Sequence, residues 1–348
     1  TILHVVNVSN FVLRDLWLDG GGIGNQILDI FVQPKHWGCG NILVERCRIG
    51  HNSPSADKWG VTVWGYEGWR NPNALRGVTF RDCLFYDMPS KKGKRRLWDQ
   101  VTFSGVADVL LERCSFTNVN MVYFMMCRRV TMRNCTLKDA NRITVDGGEG
   151  YRFENLIGGD LDYVHLHGCE KRPVRDVVIR GGNIRVLGFA WSRDVVIEGL
   201  TIHGKKAMPI RVDGPEKHLS NFVVRGNAIW DCQGPKGWNW AIACHAPRSA
   251  LVGNVILCEG KMKGILVGGD FCIVEGNVIR RAAGPGISLK NVKGCVVQGN
   301  VVFFPAGDGI LCEGAKDCRI VGNTILGACG ESVALRGDCE GNVVEGNF

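Results

Sequence analysis

The chain has 348 residues, of which 45% are hydrophobic and 22% are charged, an ordinary balance for a folded protein. Its net charge of +8 favours anionic partners, such as acidic polysaccharides. No run of about 18 apolar residues is present, so the sequence predicts no membrane partner. The sequence also lacks zinc-finger spacings and RNA-binding aromatic motifs, so we expect no nucleic-acid partner. Because both ends fall inside a repeat, we expect the chain either to be part of a longer protein or to be capped by a partner.

A repeat of about 23 residues organises the chain. A fixed period of this size indicates one supersecondary unit stacked many times. Its short turn recurs at intervals of 18 to 36 residues. In chain order, the turn positions are Asp15, Arg46, Asp82, Arg113, Asn134, Asn155, Gly181, Gly199, Gly226, Gly253, Gly276, Gly299, Gly322 and Gly346.

Three short strands are predicted around each turn. An alternating strand precedes it, as in residues 129–133 and 194–198, and a short strand follows it, as in 135–137. A third strand, with a G-I-x-L pattern in coils such as the one that begins at Gly286, precedes each unit. This pattern predicts an all-β parallel β-helix of about fourteen coils in a single domain over residues 1–348. A leucine-rich repeat has a similar period, but its L-x-x-L-x-L pattern is absent.

Long loops interrupt the predicted coils around residues 50–60, 65–76, 87–99 and 232–240. The coils from 250 onward have short loops. Because loops on a rigid scaffold commonly carry function, we expect the function to lie within about residues 55–250.

Two residue types recur at fixed places in the repeat. Asn follows the turn in the last coils, and it tolerates a left-handed backbone and can bond to the Asn stacked on it. The chain has 16 cysteines and no CxxC pair; one position of the repeat holds Cys47, Cys83, Cys114 and Cys135, and another holds Cys272, Cys295 and Cys318. They are predicted to be mostly free, buried thiols that fill columns, which fits a reducing compartment.

The pattern G-I-x-L followed by V-x-x-G-N-x-I resembles the right-handed parallel β-helix proteins of the pectate-lyase-like superfamily. These include polysaccharide lyases, glycoside hydrolases, mannuronan C5-epimerases and phage tailspikes. The resemblance implies a right-handed solenoid, an extracellular location and a substrate lying across the first strand of each coil. The N-T-D, D-D, G-H-G and R-I-K motifs of polygalacturonases and the D-P-H motif of epimerases are absent. The location stays open, because the cysteines favour the cell interior.

The outward positions of these first strands carry a cluster of titratable residues. We expect Asp146 and His167 to be neighbours at ~5 Å, with the carboxylate orienting the imidazole. His165 or His167 would act as base or acid, and Arg211 would bind a carboxylate or assist as an acid. The short coil at 188–191 aligns poorly with the others. The predicted catalytic candidates are Asp146, Asp162, His165, His167, Arg211, Asp213 and His245.

Two kinds of sugar chemistry remain open for this cluster. Hydrolysis needs two carboxyl groups about 5–9.5 Å apart, which Asp146 and Asp162 could supply. Elimination or epimerisation needs a base beside a stabilised carboxylate, which suits the His and Arg residues slightly better. No metal or cofactor is predicted, although lyases of this superfamily often use Ca²⁺.

Aromatic residues in or beside the long loops are candidates for stacking on sugar rings. The predicted substrate-binding residues are Trp64, Trp69, Trp98, Tyr123, Trp238 and Trp240. The sequence thus predicts a carbohydrate-active enzyme, a lyase, epimerase or glycoside hydrolase, acting on a polysaccharide, and leaves open whether this polymer is acidic. The alternative is a non-enzymatic structural or receptor-binding β-helix, such as a tailspike or adhesin segment, either monomeric or trimeric.

Overall fold

The computed structural model describes residues 1–23, 26–33, 36, 38–52, 60–65, 74–88, 100–138, 142–158, 163–205, 209–215, 218–233 and 239–348. These residues form 37 β-strands and no α-helix. Within them, no helix is long and apolar enough to cross a membrane. Two compact units are present, Thr1–Val178 and Ile179–Phe348. Most of each predicted long loop lies outside the described residues, and a single domain of about fourteen coils stays a prediction.

Short strands follow one another along unit 1. They are β1 (Leu3–Val6), β2 (Ser9–Arg14), β3 (Trp17–Asp19), β4 (Leu28–Val32), β5 (Cys39–Glu45), β6 (Arg48–Gly50), β7 (Val61–Gly65), β8 (Leu75–Arg81), β9 (Leu84–Met88), β10 (Val101–Ser104), β11 (Val106–Glu112), β12 (Ser115–Val119), β13 (Met121–Arg133), β14 (Thr136–Lys138), β15 (Arg142–Ile157), β16 (Tyr163–His167) and β17 (Val174–Asn183), which contains the unit boundary.

Unit 2 continues the same pattern. Its strands are β18 (Leu187–Ala190), β19 (Ser192–Glu198), β20 (Thr201–Lys205), β21 (Ile210–Val212), β22 (Ser220–Arg225), β23 (Ala228–Gln233), β24 (Trp240–Cys244), β25 (Ala250–Val252), β26 (Val255–Leu257), β27 (Lys263–Val267), β28 (Ile273–Glu275), β29 (Val278–Arg280), β30 (Ile287–Lys290), β31 (Val296–Gln298), β32 (Val301–Phe303), β33 (Ile310–Glu313), β34 (Arg319–Val321), β35 (Thr324–Leu326), β36 (Val333–Arg336) and β37 (Val343–Glu345).

Each strand pairs in parallel with its equivalent one coil further along, which produces three rows of strands in each unit. In unit 1, the first row is β1, β4, β7, β10, β13, β15 and β16. The second row runs from β2 through β5, β8 and β11, and the third from β3 through β6, β9, β12 and β14. The long strands β13 and β15 turn a corner and continue into the second row. The predicted parallel β-helix with three strands per coil is therefore confirmed.

Unit 2 has the same three rows. The first contains β18, β21, β24, β27, β30, β33 and β36. The second begins at β19 and ends at β37, and the third begins at β20 and ends at β35. The poor alignment expected for residues 188–191 was wrong, because Gly188 pairs with Arg211 in register. The coil looked irregular in sequence because its outward positions are the small residues Gly188 and Ala190.

The core is built from the inward half of each alternating strand. Phe103 and Phe124, on neighbouring coils of the first row, are fully or almost fully buried and stack with their ring centroids 5.2 Å apart. Phe85 and Phe116 stack in the third row at 4.7 Å. Such in-register aromatic pairs contribute packing energy beyond their buried area. They hold the opposite, outward positions of the same strands in straight columns.

The left-handed corner residue is the turn residue itself. Gly226 has φ 60°, and Asp15 and Arg46 have φ 56° and 50°. We expected the Asn that follows the turn residue to take this left-handed conformation, and this was wrong. Gly adopts a left-handed backbone without steric cost, and the Asn side chain lies inside the coil instead. The predicted stacking of Asn side chains is confirmed: Asn254 Nδ2 donates to Asn277 Oδ1 at 2.9 Å, and Asn277 repeats this to Asn300.

The cysteines behave as the sequence predicts. All sixteen lie within the described residues, none is in a disulfide, and all but Cys169, Cys329 and Cys339 are buried. Most of these thiols donate to backbone carbonyls, as Cys127 does to Phe103 O. Burial raises the pKa of Cys127 to about 12, which keeps this thiol protonated.

Columns of opposite charge run along the corner between the second and third rows of unit 1. Arg46 makes two hydrogen bonds of 2.7 Å to Asp15 on the preceding coil. Arg113 does the same to Asp82, at 2.7 and 2.9 Å. A second corner carries Asp108, whose carboxylate accepts bonds of 2.6 and 3.0 Å from Arg129. These pairs tie neighbouring coils together at the surface.

We expect the ion pairs to make stability fall in acid, below about pH 4. Hydrogen bonding from Arg129 lowers the pKa of Asp108 below its ordinary value of 3.8. A carboxyl with a depressed folded-state pKa stabilises the fold above its unfolded pKa, and this contribution is lost as the pH falls through the folded value. In the Asp108→Asn variant, the unfolding free energy should therefore decrease less as the pH falls below about 4. Urea unfolding at several pH values measures this decrease. Glu275→Gln, whose partner is the neutral amide of Gln298, is the control; an equal decrease in both variants would contradict the expectation.

The buried Asn column should be far more sensitive than exposed Asn residues. Asn277 accepts from the backbone and side chain of Asn254 and donates to Leu251 O at 2.8 Å. Asn277→Ala leaves several buried polar groups without partners, so we expect a loss of about 2–3 kcal/mol of unfolding free energy. Asn221→Gly, which keeps the left-handed φ of 58° without steric cost, removes the exposed bonds to Asp194 and Arg248 and should change the same urea measurement by under about 1 kcal/mol. Equal losses would overturn this view of the column.

Candidate functional site

A cavity of about 410 Å³ lies on the first row of unit 1. It opens over the three neighbouring strands β13, β15 and β16. Every lining residue occupies an alternate, outward-facing position of its strand: Met121, Tyr123, Arg142, Thr144, Asp146, His165 and His167. The cavity is therefore a direct product of the two-residue alternation in three stacked strands.

The strand register fixes which of these side chains are neighbours. Thr144 pairs with Tyr123 on one side and with His165 on the other. Asp146 and His167 follow two residues later on their own strands, and both line the cavity. The structure thus brings together four residues that the sequence singles out: Asp146, His165, His167 and Tyr123.

Tyr123 and Asp146 form a hydrogen-bonded pair across the coil boundary. The Tyr123 hydroxyl donates to Asp146 Oδ2 at 3.1 Å, and both side chains are half-buried. This bond fixes the phenol hydroxyl at the floor of the cavity. A fixed phenol hydroxyl can pass a proton to a bound oxygen or carbon.

The two imidazoles stand side by side in β16. The ring centroids of His165 and His167 are 5.2 Å apart. Burial, together with the nearby His167 and Arg142, lowers the pKa of His165 to about 4. At neutral pH the His165 ring is therefore uncharged, and one nitrogen of an uncharged imidazole carries the lone pair that can accept a proton.

Thr144 lies at the centre of the cavity, between Tyr123 and His165. Its Oγ1 is buried and has no hydrogen-bond partner among the described residues. An unsatisfied buried hydroxyl costs free energy unless a ligand or water bonds to it. The position therefore suits a ligand hydroxyl or carboxylate.

The lining residues do not fit a calcium ion. Ca²⁺ takes six to eight oxygen ligands, whereas Asp146 is the one carboxylate on the described wall of the cavity. Within the described residues, no group of three or more His, Cys, Asp or Glu is arranged to hold a metal. The set of two imidazoles, a phenol and a guanidinium is suited instead to moving protons and binding an anion.

The other predicted catalytic residues lie in unit 2 or outside the described residues. In unit 2, Arg211 and Asp213 form an ion pair on β21 and its end. The His245 ring packs against Gly268 on the next coil. A Cβ atom at position 268 would lie 2.2 Å from His245 Nδ1. Asp162 falls outside the described residues.

The predicted aromatic residues are scattered. Trp64 is 36% exposed on β7 and packs edge-on against Phe31, at 5.9 Å between centroids. Trp240 is the first residue of β24, and the Lys263 ammonium lies over its ring, 5.1 Å from the ring centroid. Trp69, Trp98 and Trp238 lie outside the described residues. Only Tyr123, among the predicted substrate-binding residues that are described, lines the unit 1 cavity.

Arg142 is the residue that the sequence reasoning missed. It lies two positions before Thr144, so it shares the outward face of β15 and lines the cavity. Extending the alternation by one more step toward the start of the strand would have identified it. It supplies the positive charge that the prediction assigned to Arg211.

Comparisons with known proteins identify the scaffold. The family described as "Right handed beta helix region" matches residues 164–348. No curated protein sequence matches the chain.

Three solved structures show the same fold at low identity. The Streptococcus pneumoniae surface adhesin PfbA is 11% identical, with 84% of each chain covered and a TM-score of 0.60. Bacteriophage CBA120 tailspike protein 3 is 15% identical over 96% of this chain and 52% of its own, with a TM-score of 0.58. The Yersinia enterocolitica family 28 exopolygalacturonase is 8% identical, covers 96% and 73%, and has a TM-score of 0.54. The chain thus spans about half of the tailspike.

The environment of His165 is open to direct measurement. We expect its imidazole to titrate near pH 4, since burial is the main cause of its lowered pKa. Arg142→Gln removes a nearby positive charge and should raise that pKa by a fraction of a unit. A pH series of imidazole NMR signals checks both values, with His203 in unit 2 as the reference ring. An ordinary pKa near 6.5 for His165 would contradict the described burial.

Proposed function

The chain belongs to the right-handed β-helix family, and on this scaffold we propose that unit 1 carries the active site of a carbohydrate-active enzyme. The substrate is an acidic polysaccharide, and the reaction begins by removing the proton next to its carboxylate. The proposal rests on one observation: an uncharged His165, the Arg142 guanidinium and the Tyr123–Asp146 pair all line one cavity.

The four residues have four roles. His165 takes the proton from C5 of a uronate, and Arg142 binds the uronate carboxylate and stabilises the charge that develops there. The negative carboxylate also favours the charged imidazolium, so substrate binding raises the basicity of His165 just where it is needed. Tyr123 is the proton donor, and Asp146 holds its hydroxyl in place.

The same residues account for every proton and bond in both elimination and epimerisation. In elimination, the C5–H bond breaks, a C4–C5 double bond forms, and the C4–O bond breaks as the leaving oxygen receives the Tyr123 proton. In epimerisation, the Tyr123 proton returns to C5 from the opposite face and no bond to oxygen breaks. Solvent then reprotonates Tyr123, and His165 releases its proton.

Hydrolysis receives less support from the same residues. It requires a second carboxyl group at about 5–9.5 Å, and Asp146 is the one carboxylate on the described lining. The Yersinia neighbour is named as an exopolygalacturonase, so the fold is compatible with an acidic polymer as substrate. The chain's net charge of +8 favours such a polymer.

Binding without chemistry is the second candidate. The half-exposed Trp64 and Phe31 form an aromatic surface on the same row, which suits sugar stacking. Two structural neighbours are named as an adhesin and a tailspike. Arg211, Asp213 and His245 stay predictions for unit 2, where an Arg211→Ala variant would test them separately.

We expect turnover of at least one acidic polysaccharide, and His165→Ala should lower it about 10²-fold or more. The panel contains alginate, polygalacturonate and hyaluronan. Ultraviolet absorbance detects the unsaturated product of elimination, proton NMR detects epimerised residues, and a reducing-end assay detects hydrolysis. Tyr123→Phe should also lose activity with its fold intact, as judged by circular dichroism.

His203→Ala is the matched control, because this imidazole lies on β20 of unit 2. It should keep full activity. Reducing ends without an unsaturated product would refute proton abstraction in favour of hydrolysis. Binding of the panel with no turnover by the wild type would favour the second candidate.

A further inference from the structure

A second cluster of polar and aromatic side chains lies on the third row of unit 1, on the coils of β3, β6 and β9. Its members are Trp17, Asp19, His51 and Tyr86. The cluster is separate from the cavity described above, which lies on the first row over β13, β15 and β16. None of its residues takes part in the proposed reaction.

One continuous chain of hydrogen bonds joins the four side chains. Trp17 Nε1 donates to the Tyr86 hydroxyl at 2.6 Å, and that hydroxyl donates to Asp19 Oδ2 at 3.1 Å. The other carboxylate oxygen, Oδ1, accepts from Gly21 N at 2.7 Å and contacts His51 Nδ1 at 2.9 Å. The bonds span three coils, so each member is held by a residue from another coil.

A glycine makes this arrangement possible. Gly50 lies between Asp19 and Tyr86 in the column. A Cβ at Gly50 would come within 2.6 Å of Tyr86 Cδ1. The missing side chain lets the Tyr86 ring lie across the middle coil and reach Asp19, two coils away.

Two recognition features of the network are exposed to solvent and make no further hydrogen bond within the described residues. Trp17 is 67% exposed although its Nε1–H is already bonded, so what it offers to solvent is mainly an apolar ring. The Gly21 amide is the main cause of a lowered pKa for Asp19, which therefore carries a charge and accepts the Nδ1 proton of His51. In the uncharged ring, Nε2 of the half-exposed His51 is then an acceptor.

We propose that this cluster is a second carbohydrate-binding site, which takes a neutral sugar ring on the face of Trp17 and a sugar hydroxyl on His51 Nε2. An indole fixed in one orientation loses little conformational entropy on binding. The Asp19 carboxylate beside it disfavours an anionic sugar. The site therefore differs in ligand class from the first-row cavity, and it does not depend on that cavity being catalytic.

Affinity electrophoresis tests the site with named probes. Gels contain galactomannan or xyloglucan as neutral polymers and alginate as the acidic one. We expect a neutral polymer to retard the wild type, and Trp17→Ala to weaken this retardation about tenfold or more. Tyr86→Phe, which frees the indole and the carboxylate, should weaken it to a smaller extent.

Two control variants separate this site from the first-row cavity and from other exposed indoles. Trp230→Ala removes another partly exposed Trp from the third row of unit 2 and should leave retardation unchanged. Asp146→Asn should also leave it unchanged, since it alters only the first-row cavity. Wild type that neither neutral polymer retards would overturn the proposal. If Trp17→Ala is retarded as much as the wild type and melts at a lower temperature, the cluster stabilises the fold and does not bind the polymer, and the proposal is wrong.

Discussion

Parallel pairing with the equivalent strand one coil further along is the constraint on which the rest of this structure depends. It places residues of equal position about 4.8 Å apart along the axis. Every side chain therefore has a near copy of its own site above and below it. Apolar columns gain from this, as the stacked Phe103 and Phe124 rings do. Polar columns are stable only where the stacked side chains have partners for their hydrogen bonds and charges. Three kinds of column in this chain meet that requirement.

Asn columns bond to themselves, because an amide is both donor and acceptor. Cysteine thiols donate to backbone carbonyls inside the core. Charged columns alternate in sign: Asp15, Arg46, Asp82 and Arg113 succeed one another at one corner. Each exposed pair contributes little energy by itself. If a strand paired one coil or one residue out of register, however, side chains of like charge would become neighbours. The alternation of charge therefore favours a single strand register.

The period and the alternation were enough to predict the rows and the outward faces. They correctly placed Tyr123, Asp146, His165 and His167 on one surface, because a parallel register leaves no freedom at those positions. The corner conformation was misassigned, since sequence spacing cannot tell which of two adjacent residues turns left-handed. The cluster around Trp17 was missed for a different reason. It depends on a side chain crossing an intervening coil above Gly50, and strand alternation contains no information about such a crossing.

The first-row cavity departs from the pattern that stabilises the other polar columns described above. Two imidazoles of the same kind stand 5.2 Å apart, one of them shifted to an uncharged state at neutral pH. Thr144 Oγ1, between them and Tyr123, is buried without a partner among the described residues. Among the described residues only three other buried side-chain atoms lack a hydrogen-bond partner in this way: Asn52 Oδ1, Arg193 Nε and His218 Nε2. Local departures of this kind are expected where a ligand completes the bonding, which favours the proposal that the residues of this cavity serve binding and chemistry.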